Sequence, residues 1–301
     1  MTRKIHSGLL RLLAGALLCL ANAMPAAAQL QQQQGAPADA QARAAAAVQR
    51  VDGNFIRANA AQKKTPDWPS YGLDHAETRF SRLDQVNTGN VKQLGLVWSY
   101  NLESTRGVEA TPLVVDGIMY VTASWSIVHA IDTRTGQKIW TFDPQVDRTK
   151  GFRGCCDVVN RGVALYEGRV YVAAYDGRLI ALDAATGQKV WEKNTIEGQK
   201  GSYTITGAPR VFKGKVIIGN GGAEYGVRGY VTAYDAETGE QKWRWFTVPG
   251  DPSKPFEDES MAKAAKTWDP SGKYWEAGGG GTAWDSFAFD PELNLMYVGT
   301  G

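Results

Sequence analysis

The pattern Ala-x-Asp-x-x-Thr-Gly-x-x-x-Trp occurs three times in this chain. It reads "AIDTRTGQKIW" at 130–140, "ALDAATGQKVW" at 181–191 and "AYDAETGEQKW" at 233–243, offset by 51 and 52 residues. Each copy follows a stretch of alternating apolar residues such as "GRVYVAAYDGRLI" at 168–180. Alternation of this kind predicts a strand, a turn at Asp176-Gly177 and a second strand. The Thr-Gly pair predicts another hairpin turn, because glycine tolerates positive φ. The Trp closes the following strand, where it can pack between neighbouring sheets. About four strands per period at this repeat length is the signature of a β-propeller, so the fold class is all-β. The 34 glycines and ten tryptophans fit that reading.

The ring is not expected to close within these residues. A partial blade is predicted around "LGLVWSYNL" (94–102), then three full repeats, then a new one beginning at "WDSFAFDPELNLMYVGTG" (284–301). The last residues stop inside a strand pattern, and a propeller of four to eight blades needs its ends to meet. The expectation is the first half of a larger ring. A complete four-bladed ring is the alternative.

Residues 1–28 read as a secretory signal peptide. Arg3 and Lys4 precede the apolar run "GLLRLLAGALLCLANA", and small residues at Ala26 and Ala28 set up cleavage near Ala28. The run is too short and too interrupted for a stable membrane anchor. Residues 29–62 read as a low-complexity lead-in, Gln- and Ala-rich and mobile over 29–50, with a short helix near "VDGNFIRANAAQ", and 63–301 as the propeller blades. Past residue 28 the chain carries 30 basic and 31 acidic side chains, which argues against a nucleic-acid partner.

The same portion holds only two cysteines, Cys155 and Cys156, side by side. Export permits a disulfide. Adjacent Cα atoms lie about 3.8 Å apart, closer than ordinary disulfides prefer. A bond there would close a small, strained ring and present a local sulfur-rich platform. Two adjacent buried thiols are the other reading. "GNGGAEYGVRGYVTAYD" (219–235) is a glycine-rich run able to offer N–H groups to an anion. Glu224 beside it can hold a hard cation, or sit as a surface acid on a bend. In "EAGGGGTAWDSFAFD" (276–290), Trp284 can floor a planar ligand or serve as another packing Trp. Arg161 can fork onto a carboxylate or quinone oxygen, or form a structural ion pair. Glu109 and Thr206 occupy comparable stages of other repeats, so a ring would gather these residues at one end of its channel.

Taken together, "GCCDVVNRGVA", "GGAEYGVRGYVTAYD" and "GGGGTAWD" resemble the quinoprotein alcohol dehydrogenases, over about residues 51–301. The resemblance implies an eight-bladed propeller in the periplasm that uses pyrroloquinoline quinone (PQQ) and Ca²⁺ or a lanthanide. It implies a Cys155–Cys156 disulfide on one face of the quinone and Trp284 on the other. Glu109, Arg161, Thr206 and Thr282 would bond in its plane, Gly222 and Ala223 would meet its carboxylates through their backbone, and Glu224 would ligate the metal. The family's second metal ligand, an Asn after "GTG", and its catalytic Asp would lie beyond Gly301, and Asp285 is not assigned that role. The implied reaction is hydride transfer from a primary alcohol, with electrons passing to a cytochrome c or blue-copper acceptor. "VDGNFIRANA", "STRGVEATP" and "PSKPFEDESM" look most like the quinohaemoprotein subgroup, whose haem c would need a further C-terminal domain. A non-enzymatic propeller scaffold of the outer-membrane assembly type shares the blade repeat but has no use for the paired cysteines or Glu224. A sugar or aldehyde dehydrogenase with the same cofactor is the other alternative.

Overall fold

A computed structural model describes residues 39–301 except Glu197; the expected leader lies outside these residues. Three four-stranded antiparallel sheets follow one another along the chain. Blade 1 comprises β1 (Leu113–Val115), β2 (Ile118–Thr122), β3 (Val128–Asp132) and β4 (Gln137–Phe142). Blade 2 comprises β5 (Ala164–Tyr166), β6 (Arg169–Ala173), β7 (Arg178–Asp183) and β8 (Lys189–Asn194). Blade 3 comprises β9 (Arg210–Phe212), β10 (Lys215–Gly219), β11 (Tyr230–Asp235) and β12 (Gln241–Phe246). A two-stranded sheet of β13 (Phe287–Asp290) and β14 (Leu295–Val298) completes the described order. This is a propeller-type architecture of simple meanders.

The repeat explains each blade. Asp183 Oδ1 accepts from the backbone N–H groups of Ala185 and Thr186 and from the Thr186 hydroxyl. Asp235 does the same for Glu237 and Thr238. The following glycines, Gly136, Gly187 and Gly239, all have φ near +70° (72°, 71° and 69°). In each blade the register shifts at the start of the motif, at Ala130/Ile131, Ala181/Leu182 and Ala233/Tyr234. This repeated bulge adds local twist.

The tryptophans join the blades. They lie within the outer strands rather than at their ends, and two of them reach the turn of the next blade. Trp140 Nε1 donates to the Ala184 carbonyl at 3.0 Å, and Trp191 Nε1 to that of Ala236 at 3.2 Å. Tyr120 and Tyr171 donate to the same two carbonyls. The turn glycines lie against the indoles, and a Cβ on Gly187 would fall 2.6 Å from Trp140. The predicted partial blade at 94–102 forms no strand, since an extended segment needs a ladder partner to persist. Trp98 within it nonetheless donates to the Thr133 carbonyl at 2.8 Å, on the first repeat's turn.

Apolar side chains fill the spaces between blades: one cluster spans blades 1 and 2, a second blades 2 and 3, and a third blade 3 and β13. The lead-in differs from the sequence expectation. Residues Ala40–Gln49 form helix α1, whose Ala44, Ala47 and Val48 are buried in the first cluster. Alanine combines the highest helix propensity with a side chain small enough to seat a helix closely on a sheet. The expected short helix is α2, Gly53–Ala61, capped by the Asp52 carboxylate on Phe55 N–H. A third helix, α3 (Glu259–Ala265), lies between β12 and β13. No described helix is long and apolar enough to cross a membrane.

Candidate active site

The candidate residues sit where the chain enters the first strand of each sheet. Glu109 precedes β1, Arg161 precedes β5, Thr206 precedes β9, and Thr282 and Trp284 precede β13. These entry segments are stitched together by backbone bonds: Thr111 N–H donates to the Arg161 carbonyl at 3.0 Å and Arg161 N–H to that of Thr206 at 2.9 Å.

Arg161 is the centre of the group. Its guanidinium pairs with the Glu109 carboxylate at 2.8 Å and donates to Thr206 Oγ1 at 2.6 Å. It also stands 4.9 Å from the centroid of the Trp284 ring. Four predicted residues are therefore in direct contact. Arg161 is only 14% exposed as a side chain, whereas Glu109 is 44% exposed, so one end of the pair faces outward. Asn160 sets the Arg161 backbone. Buried, it donates to Ser126 Oγ and the Ala173 carbonyl and accepts from Gly162 N–H.

The loop carrying Glu224 lies beside this group. Gly221 N–H donates to the Thr204 carbonyl at 2.8 Å, and a Cβ on Gly221 would stand 4.0 Å from Trp284 Cβ. Gly222 has φ +106°, a conformation that favours glycine, and it starts the short turn Ala223–Tyr225. Glu224 is exposed on that turn. Among the described residues no three His, Cys, Asp or Glu side chains converge as a metal set. Glu224 by itself is one oxygen-donor residue of the several a hard cation requires. The sequence run Gly278–Gly281 adopts positive φ throughout (84°, 83°, 72° and 65°). It packs flat on the Glu224 loop: Gly280 N–H donates to the Val227 carbonyl at 3.1 Å, and Gly229 N–H to that of Gly280 at 2.8 Å. It then delivers Thr282, which is buried, and Trp284, which is 44% exposed. Thr282 exchanges backbone bonds with Gly301, and its hydroxyl lies 3.3 Å from the same carbonyl.

Cys155 and Cys156 are joined by a disulfide, with Cα atoms 3.8 Å apart. Both residues are exposed, so they are not the buried thiols of the alternative reading. They follow a 3₁₀ segment, Arg148–Arg153. Sequence reading missed what holds this turn. Arg106 grips the Asp157 carboxylate through Nε and Nη2, and Gly107 N–H donates to it at 3.3 Å. The guanidinium holds the Asp157 carboxyl down at about 2, against partial desolvation. The pair spans 51 residues, so no local pattern flags it. Asn160 and Asn220 were missed too, although each immediately precedes a site segment. Asn220 is fully buried and accepts from Tyr230 N–H at 2.8 Å while donating to the Gly221 carbonyl.

The chemistry on offer is consistent: exposed sulfur and indole surfaces, an arginine with two hydrogen-bonding neighbours, glycine backbone on a tight turn and an exposed carboxylate. Comparison with known proteins gives this arrangement a context. Residues 68–301 match the family model "PQQ: Glucose/ethanol/alcohol dehydrogenase, beta-propeller domain". A quinohemoprotein alcohol dehydrogenase from Comamonas testosteroni is 81% identical over 260 residues, which are 86% of this chain and 36% of that protein. A 1-butanol dehydrogenase (cytochrome c) from Thauera butanivorans is 62% identical over 212 residues, 70% of this chain and 30% of that protein. The crystal structure of the Comamonas testosteroni enzyme superposes with a TM-score of 0.85, covering 87% of this chain and 39% of that one. The chain thus spans about a third of the length of these curated relatives.

Proposed function

With membership of the PQQ-dependent glucose/ethanol/alcohol dehydrogenase β-propeller family as the premise, we propose that this chain forms the first blades of an eight-bladed ring that oxidises primary alcohols in the periplasm. The observation that carries the reading is Arg161, joined at once to Glu109, Thr206 and Trp284. Such a cluster suits one edge and one face of a flat, polyanionic ligand.

PQQ, when bound, supplies the hydride acceptor for alcohol oxidation. The chain's own residues bind and orient it. The Cys155–Cys156 disulfide and the Trp284 indole would flank its two faces. Arg161 and Glu109 would bond its edge, with Arg161 offering a charge-assisted fork to a carboxylate or carbonyl. The hydroxyls of Thr206 and Thr282 would complete the in-plane set. Backbone N–H groups at Gly222 and Ala223 would meet carboxylates on the tight turn. Glu224, exposed beside that turn, would give one oxygen ligand to a Ca²⁺ or lanthanide ion. Following the resemblance, proton removal from the alcohol is assigned to an Asp expected beyond Gly301 rather than to Glu109, Glu224 or Asp285. The relative named as a 1-butanol dehydrogenase (cytochrome c) supports primary alcohols as substrates and a cytochrome c-type acceptor. Residues 1–28 would export the protein, and 63–301 would be its first blades. A haem c domain beyond Gly301 would place the enzyme with its quinohaemoprotein relatives.

The test is reconstitution of the full-length protein with PQQ and either Ca²⁺ or a lanthanide. Ethanol and 1-butanol should drive reduction of an artificial electron acceptor with at least one metal. Reconstituted protein that binds PQQ and metal yet oxidises neither alcohol would refute the function.

A further inference from the structure

The disulfide turn is tied to a distant segment by one pair of side chains. Arg106 reaches Asp157, the residue after Cys156, through Nε at 3.0 Å and through Nη2 in an ion pair. Gly107 N–H adds a third bond to the same carboxylate. Gly107 lies two residues before Glu109, the partner of Arg161. The turn is supported from behind as well. Tyr175 Oη donates to the Gly151 carbonyl at 2.9 Å, and a Cβ on Gly154 would fall 2.6 Å from that hydroxyl oxygen. Trp125 N–H donates to the Val158 carbonyl at 2.8 Å.

We propose that Arg106 and Asp157 are positioning residues that lock the Cys155–Cys156 turn in register with Glu109 and Arg161. The consequence for cofactor binding rests on the function proposed above; the mechanical consequence does not. A one-point contact would let the turn pivot. The two-pronged guanidinium grip fixes both distance and plane, and the Gly107 bond fixes the backbone that leads to Glu109. Breaking the pair should therefore loosen two candidate ligand groups together, while the blades stay folded. Exposed pairs contribute little to global stability, so the signature is local opening at the disulfide rather than a lower melting point.

The experiment uses the full-length protein and two readouts. The first is the rate at which a water-soluble trialkylphosphine reduces Cys155–Cys156, followed by alkylation and peptide mass spectrometry at those two residues. The phosphine donates two electrons, the S–S bond breaks, water supplies two protons for two thiols, and its oxygen ends on the phosphine oxide. The second is PQQ affinity measured by titration. Asp157→Asn and Arg106→Met should each speed reduction roughly fivefold, about 1 kcal/mol of local stability. The double variant should be no faster than either single, because the two residues act as one unit. Asp157→Glu should recover part of the loss. Arg148→Met is the control: Arg148 stands 4.6 Å from the Trp125 ring but pairs with Asp143, and its loss should leave both readouts unchanged. Unchanged reduction rates in Asp157→Asn and Arg106→Met, or an equal acceleration in Arg148→Met, would overturn the inference. Faster reduction in a protein whose wild type binds no PQQ would uphold the positioning role and sink the cofactor reading instead. Should Asp157→Asn fail to fold, Arg106→Met carries the same test.

Discussion

The disulfide turn and the Trp284 segment are held in place by different means. The disulfide turn depends chiefly on side chains, the Arg106–Asp157 pair and the Tyr175 hydroxyl, with one backbone bond from Trp125 N–H to the Val158 carbonyl behind them. The Trp284 segment depends on bare backbone. Gly207 and Gly219 leave room for the carbonyls of Trp284 and Ala283, and Gly229 for that of Gly281. The difference teaches where each surface is fragile. A close backbone approach fails on the addition of one methyl group. A side-chain clamp can be weakened by degrees.

The largest effect is therefore expected behind Trp284. A methyl at Gly219 would strike both the carbonyl and the Cβ of Ala283. Gly219→Ala should cost about 3 kcal/mol or more, read as a lower denaturant midpoint, with PQQ affinity lost in whatever folds. Tolerance of this change would mean the two backbones can separate and the comparison is wrong. The next effect belongs to the disulfide itself. Replacing both Cys155 and Cys156 by Ser should change global stability by less than about 1 kcal/mol, because the closed loop is minimal. PQQ affinity should fall clearly in the same variant. A large stability loss with unchanged PQQ binding would make the bond a structural staple.

Smaller effects should follow at the edges. Glu224→Gln should weaken Ca²⁺ or lanthanide retention in the reconstituted protein, measured by metal analysis after dialysis, with the thermal midpoint of metal-free protein unmoved. Metal content equal to wild type would remove Glu224 from the ligand set. The smallest concerns pH. Asp157 is held at about 2, below its ordinary 3.8, chiefly by hydrogen bonding to Arg106. A depressed acid stabilises the fold above its unfolded value, and that contribution is lost as pH falls through about 2. Disulfide reduction rates should thus lack an Asp157-dependent step between neutral pH and the unfolded value, comparing wild type with Asp157→Asn. A step in wild type alone near pH 4 would show that the clamp is weaker than its geometry.

What was legible in the sequence was local or repeated. The Asp, Thr and Gly of each turn sit within a few residues of the bonds they make, so three copies exposed the blade. The tryptophans were legible as packing residues, but not the carbonyls they reach, which lie about one repeat away. The same limit hid the Arg106–Asp157 pair and the roles of Asn160 and Asn220, whose partners come from other strands and loops. Composition misled at Ala40–Gln49, where a low-complexity look concealed a helix seated in the core. Of the site, the cysteine pair, Arg161 and Trp284 could be singled out from residue type. That Arg161 gathers Glu109, Thr206 and Trp284 needed the fold, because only the blade entries bring them together.

The most direct test is a crystal structure of the full-length protein with PQQ and metal bound. The quinone plane should lie between the two sulfur atoms of Cys155–Cys156 and the Trp284 indole, with Arg161 at its edge and the Glu224 carboxylate on the metal. A quinone bound away from either surface, or a metal with no contact to Glu224, would contradict it.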